Sequence, residues 1–133
     1  MALTEPTTGR TIDEAEVSIK VTLAEACKRG DLLGYATGWK RALATTGTAI
    51  QAKLIAAEDG ALGDIITAYA FAKLSGYSAG TPGAAVYAAE GTSYGCVTET
   101  APTTTGDCNT IIGLILTATE ILLFPNNRTP SVA

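Results

Sequence analysis

The chain contains no histidine. That absence removes the usual general base at neutral pH and the commonest zinc ligand. A Cys–His nucleophile is excluded with it. Aromatic residues make up 6% and charged residues 17% of the 133 positions. The formal net charge is −4, and the nine basic residues are scattered rather than striped. An electrostatic grip on nucleic acid is therefore not expected. The most apolar run, Ile111 to Phe124, is too short to span a bilayer and carries Glu120, so no membrane partner is expected. The first residues, MALTEPTTGRTIDEAE, hold no apolar segment of the kind a secretory signal needs. Synthesis in the cytoplasm as a soluble protein is the expectation. Three cysteines occur, Cys27, Cys96 and Cys108, without a CxxC spacing. They read as buried free thiols, since free cysteine behaves as a small hydrophobe.

What is present is alanine, glycine and short β-branched runs. Apolar residues reach 47%, but most are small, which predicts a thin core. "VSIKVTL" alternates Val17, Ile19, Val21 and Leu23 with polar residues and predicts a strand with one buried face. A pattern then recurs: "GDLLGYATG", "GDIITAYAFA", "GAAVYAAEG" and "GDCNTIIGLIL" each place glycine, usually followed by aspartate, before a short apolar run. Glycine supplies the positive φ of a tight turn and aspartate bonds back to the turn backbone. Short strands between turn signals predict one mainly β domain, a small sandwich or barrel, over residues 17–125. Residues 1–16 read as an extended N-terminal arm and 126–133 as a C-terminal tail.

Three passages carry finer expectations. "AIQAKLIAAEDG" is compatible with a helix or a strand; the strand, Ile50 to Ala56, is favoured because its neighbours are strands. "AEACK" reads as a connection or a single helical turn. "YGCVTET", a loop "APTTTG" and "DCNTIIGLIL" predict a hairpin, followed by "TATE" and a last strand "ILLFP". That hairpin makes Cys96 and Cys108 neighbours, equidistant from Pro102 and close enough for a disulfide. Cytoplasmic synthesis favours the thiols.

Candidate motifs resolve mostly into turns. Arg29–Gly30–Asp31 spells an adhesion tripeptide but reads as a β-turn. Asn127–Arg128–Thr129 fits a glycosylation pattern that needs secretion. Asp13, Glu14 and Glu16 lack the spacing of a calcium loop and read as a solvated run. Trp39 is either a core anchor or an interface residue. No catalytic, cofactor or metal-ligating residue is legible, and an enzyme is not expected.

The succession "GDLLGYATG", "AEDGALGDIITAYAF", "GTPGAAVYAAEGTSYGCVTETAP" and "NTIIGLILTATEILLFPN" resembles the small capsid decoration (cement) proteins of tailed bacteriophages, over roughly residues 17–126. The resemblance implies a compact β domain on the outer surface of a phage head. There it would bind the major capsid protein at capsomer junctions and oppose the pressure of packaged DNA. It also implies a homotrimer, with a dimer as the alternative, and an arm that adds a strand to the shell protein. On that reading Leu3, Thr4, Pro6, Arg10, Ile12, Asp13 and Glu14 are the arm's contacts with the shell. Trp39, Tyr87, Asn126 and Arg128 are further interface candidates. A surface adhesin-like β domain, using the Arg29–Gly30–Asp31 turn, is the alternative from a different class.

Overall fold

The computed structural model describes residues 3–6 and 9–125. Among the described residues nine antiparallel strands form the domain and no helix occurs. They are β1 (Thr11–Thr22), β2 (Leu32–Tyr35), β3 (Trp39–Arg41), β4 (Leu54–Ala56), β5 (Ile65–Ser75), β6 (Ala85–Ala88), β7 (Val97–Thr98), β8 (Gly113–Thr117) and β9 (Glu120–Leu123). The mainly β expectation holds, and the sheet curls into a half-barrel.

The architecture follows from β5. Its sequence, IITAYAFAKLS, alternates, so Ile66, Ala68, Ala72 and Leu74 turn inward and are buried. One edge of β5 pairs along its whole length with β1, from Ile65 opposite Thr22 to Ser75 opposite Thr11. The other edge serves two strands, β4 at Ala68 and Tyr69 and β9 from Ala72 to Ser75. The sheet therefore forks. One branch runs β4-β2-β3 and the other β9-β8-β6-β7.

The far ends of the branches return to each other through loop backbone. Leu32 N donates to the Gly95 carbonyl at 2.9 Å, Gly95 N to the Ala42 carbonyl at 2.8 Å, and Ala44 N to the Ala89 carbonyl at 2.8 Å. The main core fills the curl, with Leu32, Ile55, Leu74, Val86, Ile115, Ile121 and Leu123. A second cluster, Val21, Leu23, Leu33, Leu54 and Ile66, lies on the other side of β2 and β4. Both faces of those two strands are thus covered. This explains why they read as unbroken apolar runs, Leu32–Leu33 and Leu54–Ile55–Ala56, rather than alternating ones.

Four expectations are corrected. β1 starts at Thr11, not Val17, and the described residues before Val17 belong to the domain: Leu3 lies in the main core, and Ile12 and Ala15 pack against it. The alternation is interrupted because the register shifts between Ile12 and Glu14, at Asp13. The hairpin between Cys96 and Cys108 does not form. β7 pairs instead with β6, Tyr87 opposite Thr98, and Cys108 N donates to the Ala44 carbonyl. All three cysteines are free thiols. The strand expected over Ile50 to Ala56 is confined to Leu54–Ala56, with Ile50 making one bridge to Leu43. "AEACK" is not helical; Ala24 N bonds to the Trp39 carbonyl and Cys27 N to the Gly60 carbonyl. The β8–β9 hairpin forms as expected, with a shorter turn at Ala118 and Thr119.

Gly113 pairs on both sides, with Val86 and Leu123, and a Cβ there would lie 2.2 Å from the Leu122 carbonyl oxygen. Gly113→Ala is expected to destabilise the domain by about 1–3 kcal/mol through overpacking, read from urea denaturation. Unaltered stability would show that β8 and β9 approach less closely than described.

Candidate functional site

Two features stand out, a buried polar joint and an exposed apolar end. The joint is built by the N-terminal segment. Arg10 is buried, and its Nη2 pairs with Asp31 Oδ1. Its Nε lies 3.6 Å from Glu5 Oε1, and its Nη1 is 3.5 Å from the Gly95 carbonyl. Asp31 Oδ2 accepts from Lys28 N at 2.9 Å, closing the turn that carries it. Glu5 Oε2 accepts from Val97 N at 2.9 Å, and Leu3 N donates to Glu99 Oε1 at 2.6 Å. Thr4 and Ser78 exchange backbone bonds, and Arg29 Nε donates to the Arg10 carbonyl at 2.7 Å. Gly95 has φ 75, and a Cβ there would sit 2.7 Å from Asp31 Cγ. Only glycine lets the backbone close on the carboxylate.

The electrostatics of the joint are those of a clasp. Burial opposes the Arg10 charge, but Asp31, Tyr77 and Glu5 together hold its pKa above the ordinary value. Burial raises the Glu5 pKa against the pull of Arg10, and it raises that of Tyr77. Burial also pushes the thiols of Cys27 and Cys96 up to about 11, and that of Cys108 upward. None of the three is a thiolate nucleophile at neutral pH. A cleft of about 460 Å³ borders the joint, between Gly9–Arg10, Lys28–Arg29 and Ala57–Asp59. Its Arg10, Arg29, Glu58 and Asp59 all hold partners within the protein. Among the described residues, no group of three or more Cys, Asp or Glu is placed to hold a metal ion, and no helix is long and apolar enough to cross a membrane.

The apolar end is assembled by backbone pairing. Leu23 bridges Trp39, its N–H donates to the Asp64 carbonyl at 2.8 Å, and its carbonyl accepts from Gly63 N at 2.9 Å. The β2–β3 hairpin and the Ala61–Ile65 turn are thereby brought side by side. Tyr35, opposite Trp39 in the hairpin, meets its ring edge-to-face at 5.5 Å between centroids. Tyr35 is 67% exposed, Leu62 71% and Ile65 68%. The half-buried Trp39 packs against the second cluster. It is a core anchor whose ring also meets the exposed Tyr35.

The arm residues do not form a shared outward surface. Leu3 and Arg10 are buried, Pro6 and Ile12 are half-buried, and Thr4 is held by Ser78. A shell-contacting role for Leu3 and Arg10 conflicts with their burial. Asp13 accepts from Ser75 Oγ at 3.3 Å, and Glu14 stands opposite Lys73 on the exposed side of β1. Tyr87 is half-buried in β6; Asn126 and Arg128 lie outside the described residues. The carboxylate of the Arg29–Gly30–Asp31 turn faces inward to Arg10, so the tripeptide does not display it.

Sequence reading missed Glu5, Gly95, Tyr35, Leu62 and Ile65. Leu62 had a signal: a large apolar side chain alone in a turn between Gly60 and Gly63 has no strand to bury it. Glu5 and Gly95 had none, because their partners lie 92 and 64 residues away in the chain, at Val97 and Asp31. The chain was compared with family models, curated proteins and solved structures, and nothing matches.

Arg10→Met would leave the Asp31 carboxylate buried without its counter-charge. The expected loss is about 3–5 kcal/mol, and adding Asp31→Leu should return part of it. Denaturant melts of the single and double variants check this. A loss under about 1 kcal/mol for Arg10→Met would mean the joint contributes little.

Proposed function

We propose that this protein is a structural binding module of the capsid-decoration kind, seated on the outer surface of a phage head at capsomer junctions and bracing it against internal DNA pressure. Its partner is the major capsid protein, its location the virion, and its mechanism adhesive rather than catalytic. The observation that carries the reading is the exposed apolar end. Tyr35, Leu62 and Ile65 are each about two-thirds exposed, and Tyr35 stacks edge-to-face on Trp39; the backbone bonds of Leu23 bring the segments that carry them together. A clustered apolar patch of this kind marks a contact with another macromolecule, and aromatic residues supply the anchors of such contacts. The succession of Gly-Asp turns and the "GAAVYAAEGTSYG" segment, which resemble cement proteins, support the capsid shell as that macromolecule.

The shell contact is made by this end rather than by an extended arm. Burial of Leu3 and Arg10 ties the segment to its own domain, so affinity comes from side chains, multiplied by many copies on a closed lattice. Of the two self-associations the resemblance allows, trimer and dimer, the unpaired outer edge of β1 favours the dimer.

Tyr35→Ser combined with Leu62→Ser removes two anchors from the surface and nothing from either core. Co-sedimentation with empty expanded heads should fall by about tenfold or more, with thermal stability unchanged. Undiminished binding would remove the apolar end from the mechanism. Failure of the unaltered protein to bind heads would overturn the decoration reading itself.

A further inference from the structure

β1 is a long strand with one side open. Among the described residues it pairs with β5 and with no other strand, so the outer backbone edge of its twelve residues has no ladder. Long edges are normally blunted, because unpaired N–H and C=O groups recruit another strand. This one holds no proline. Val17, at φ 57, is a left-handed kink that β-branched residues rarely adopt. It is 65% exposed and Ile19 is 42% exposed. Their neighbours carry both signs of charge, Asp13, Glu14 and Glu16 before them and Lys20 after.

We propose that two copies of this chain join β1 to β1, antiparallel about a twofold axis through Ser18. In this register Val17, drawn by the new ladder from φ 57 into the extended range, stands across from Ile19 of the partner copy, and Ile19 across from the partner's Val17, so each exposed apolar side chain covers another. On the opposite face Glu16 stands across from the partner's Lys20, and Lys20 across from the partner's Glu16. The alternation of the strand keeps the two sets apart: Glu16, Ser18 and Lys20 share the face of Phe71, Tyr69 and Thr67 across β5, whereas Ile19 shares that of Ala68. In the single chain Lys20 Nζ donates to Thr67 Oγ1 of β5 at 2.7 Å; on pairing, the ammonium turns from Thr67 toward the partner's Glu16. The strand is self-complementary because its acids precede its lysine; reversal about the axis brings unlike charges together. The result is a continuous sheet, β5-β1-β1-β5, through the axis. This inference does not depend on what the apolar end binds.

The test is light scattering of the purified full chain, with oxidative cross-linking. The unaltered protein should be a dimer. Lys20→Glu places like charges opposite each other at two positions and should weaken the dimer by about tenfold or more. Glu16→Lys added to Lys20→Glu restores opposite charges and should restore the dimer. Ser18→Cys puts two thiols on the axis, where directly opposed Cα atoms are about 4.5–5.5 Å apart, within disulfide reach. Mild oxidation should give a covalent dimer that neither the unaltered protein nor Thr22→Cys gives. A chain that stays monomeric at every attainable concentration overturns the proposal. So does a dimer that is indifferent to Lys20→Glu and uncross-linked through Ser18→Cys. A monomer whose β1 amides become protected only on phage heads would assign the edge to the shell protein instead.

Discussion

The buried ion pair between Arg10 and Asp31 is the contact on which the rest of this domain depends. Three segments distant in sequence meet there: the N-terminal strip, the turn before β2 and the chain entering β7. No ladder joins the branches of the forked sheet at this point, so closure relies on loop backbone and on these charges. Burying two ions costs several kcal/mol each, and the pair stands only because Lys28 N–H, Val97 N–H and Glu5 satisfy its surroundings. It therefore acts less as a source of stability than as a specification. Other arrangements of the N-terminal strip leave a charge buried alone.

The second constraint is the fork at β5. A single strand carrying β1 on one edge and two shorter strands on the other forces the sheet to curl, and the space inside is narrow. Alanines pack among its larger side chains. Ala42, Ala44, Ala52 and Ala72 are fully buried in the main core, where larger side chains would hold the branches apart. Ala79 to Gly95, a stretch whose one charged side chain is Glu90, follows from the same geometry: Val86 and Ala88 point into the core, while Gly95 closes on Asp31. On the outer surface the most exposed large apolar residues are Val17 on the β1 edge and Tyr35, Leu62 and Ile65 around the β2–β3 hairpin and the turn before β5.

Much of this was legible in the chain itself. The Gly-Asp turns, the strand that follows Gly63–Asp64 and the β8–β9 hairpin are local signals, set by glycine conformation and by short apolar runs, and they reappear where sequence places them. The errors share a cause. The register shift at Asp13 breaks the alternation of β1, so local pattern marks only its second half. Cys96 and Cys108 are symmetric about a loop, which suggests a hairpin, yet Val97 and Thr98 pair with β6. The threonine, proline and glycine around Leu3 and Arg10 give no local sign that the two are interior. Only partners far along the chain, the core and Asp31, make them interior residues. Local pattern reports strands and turns; it does not report which distant group neutralises a charge.

The central claim is that the N-terminal strip is an integral part of the fold, fastened by Arg10. Amide hydrogen exchange of the full chain tests it most directly. Leu3 N donates to Glu99 and Thr4 N to the Ser78 carbonyl, so both amides should exchange slowly and should lose protection together with Val97 in Arg10→Met, while the central residues of β5 keep theirs. Leu3 and Thr4 amides that exchange at the rate of a free chain, with β5 fully protected, would contradict the account: the strip would then be an arm, and the clasp would not hold it.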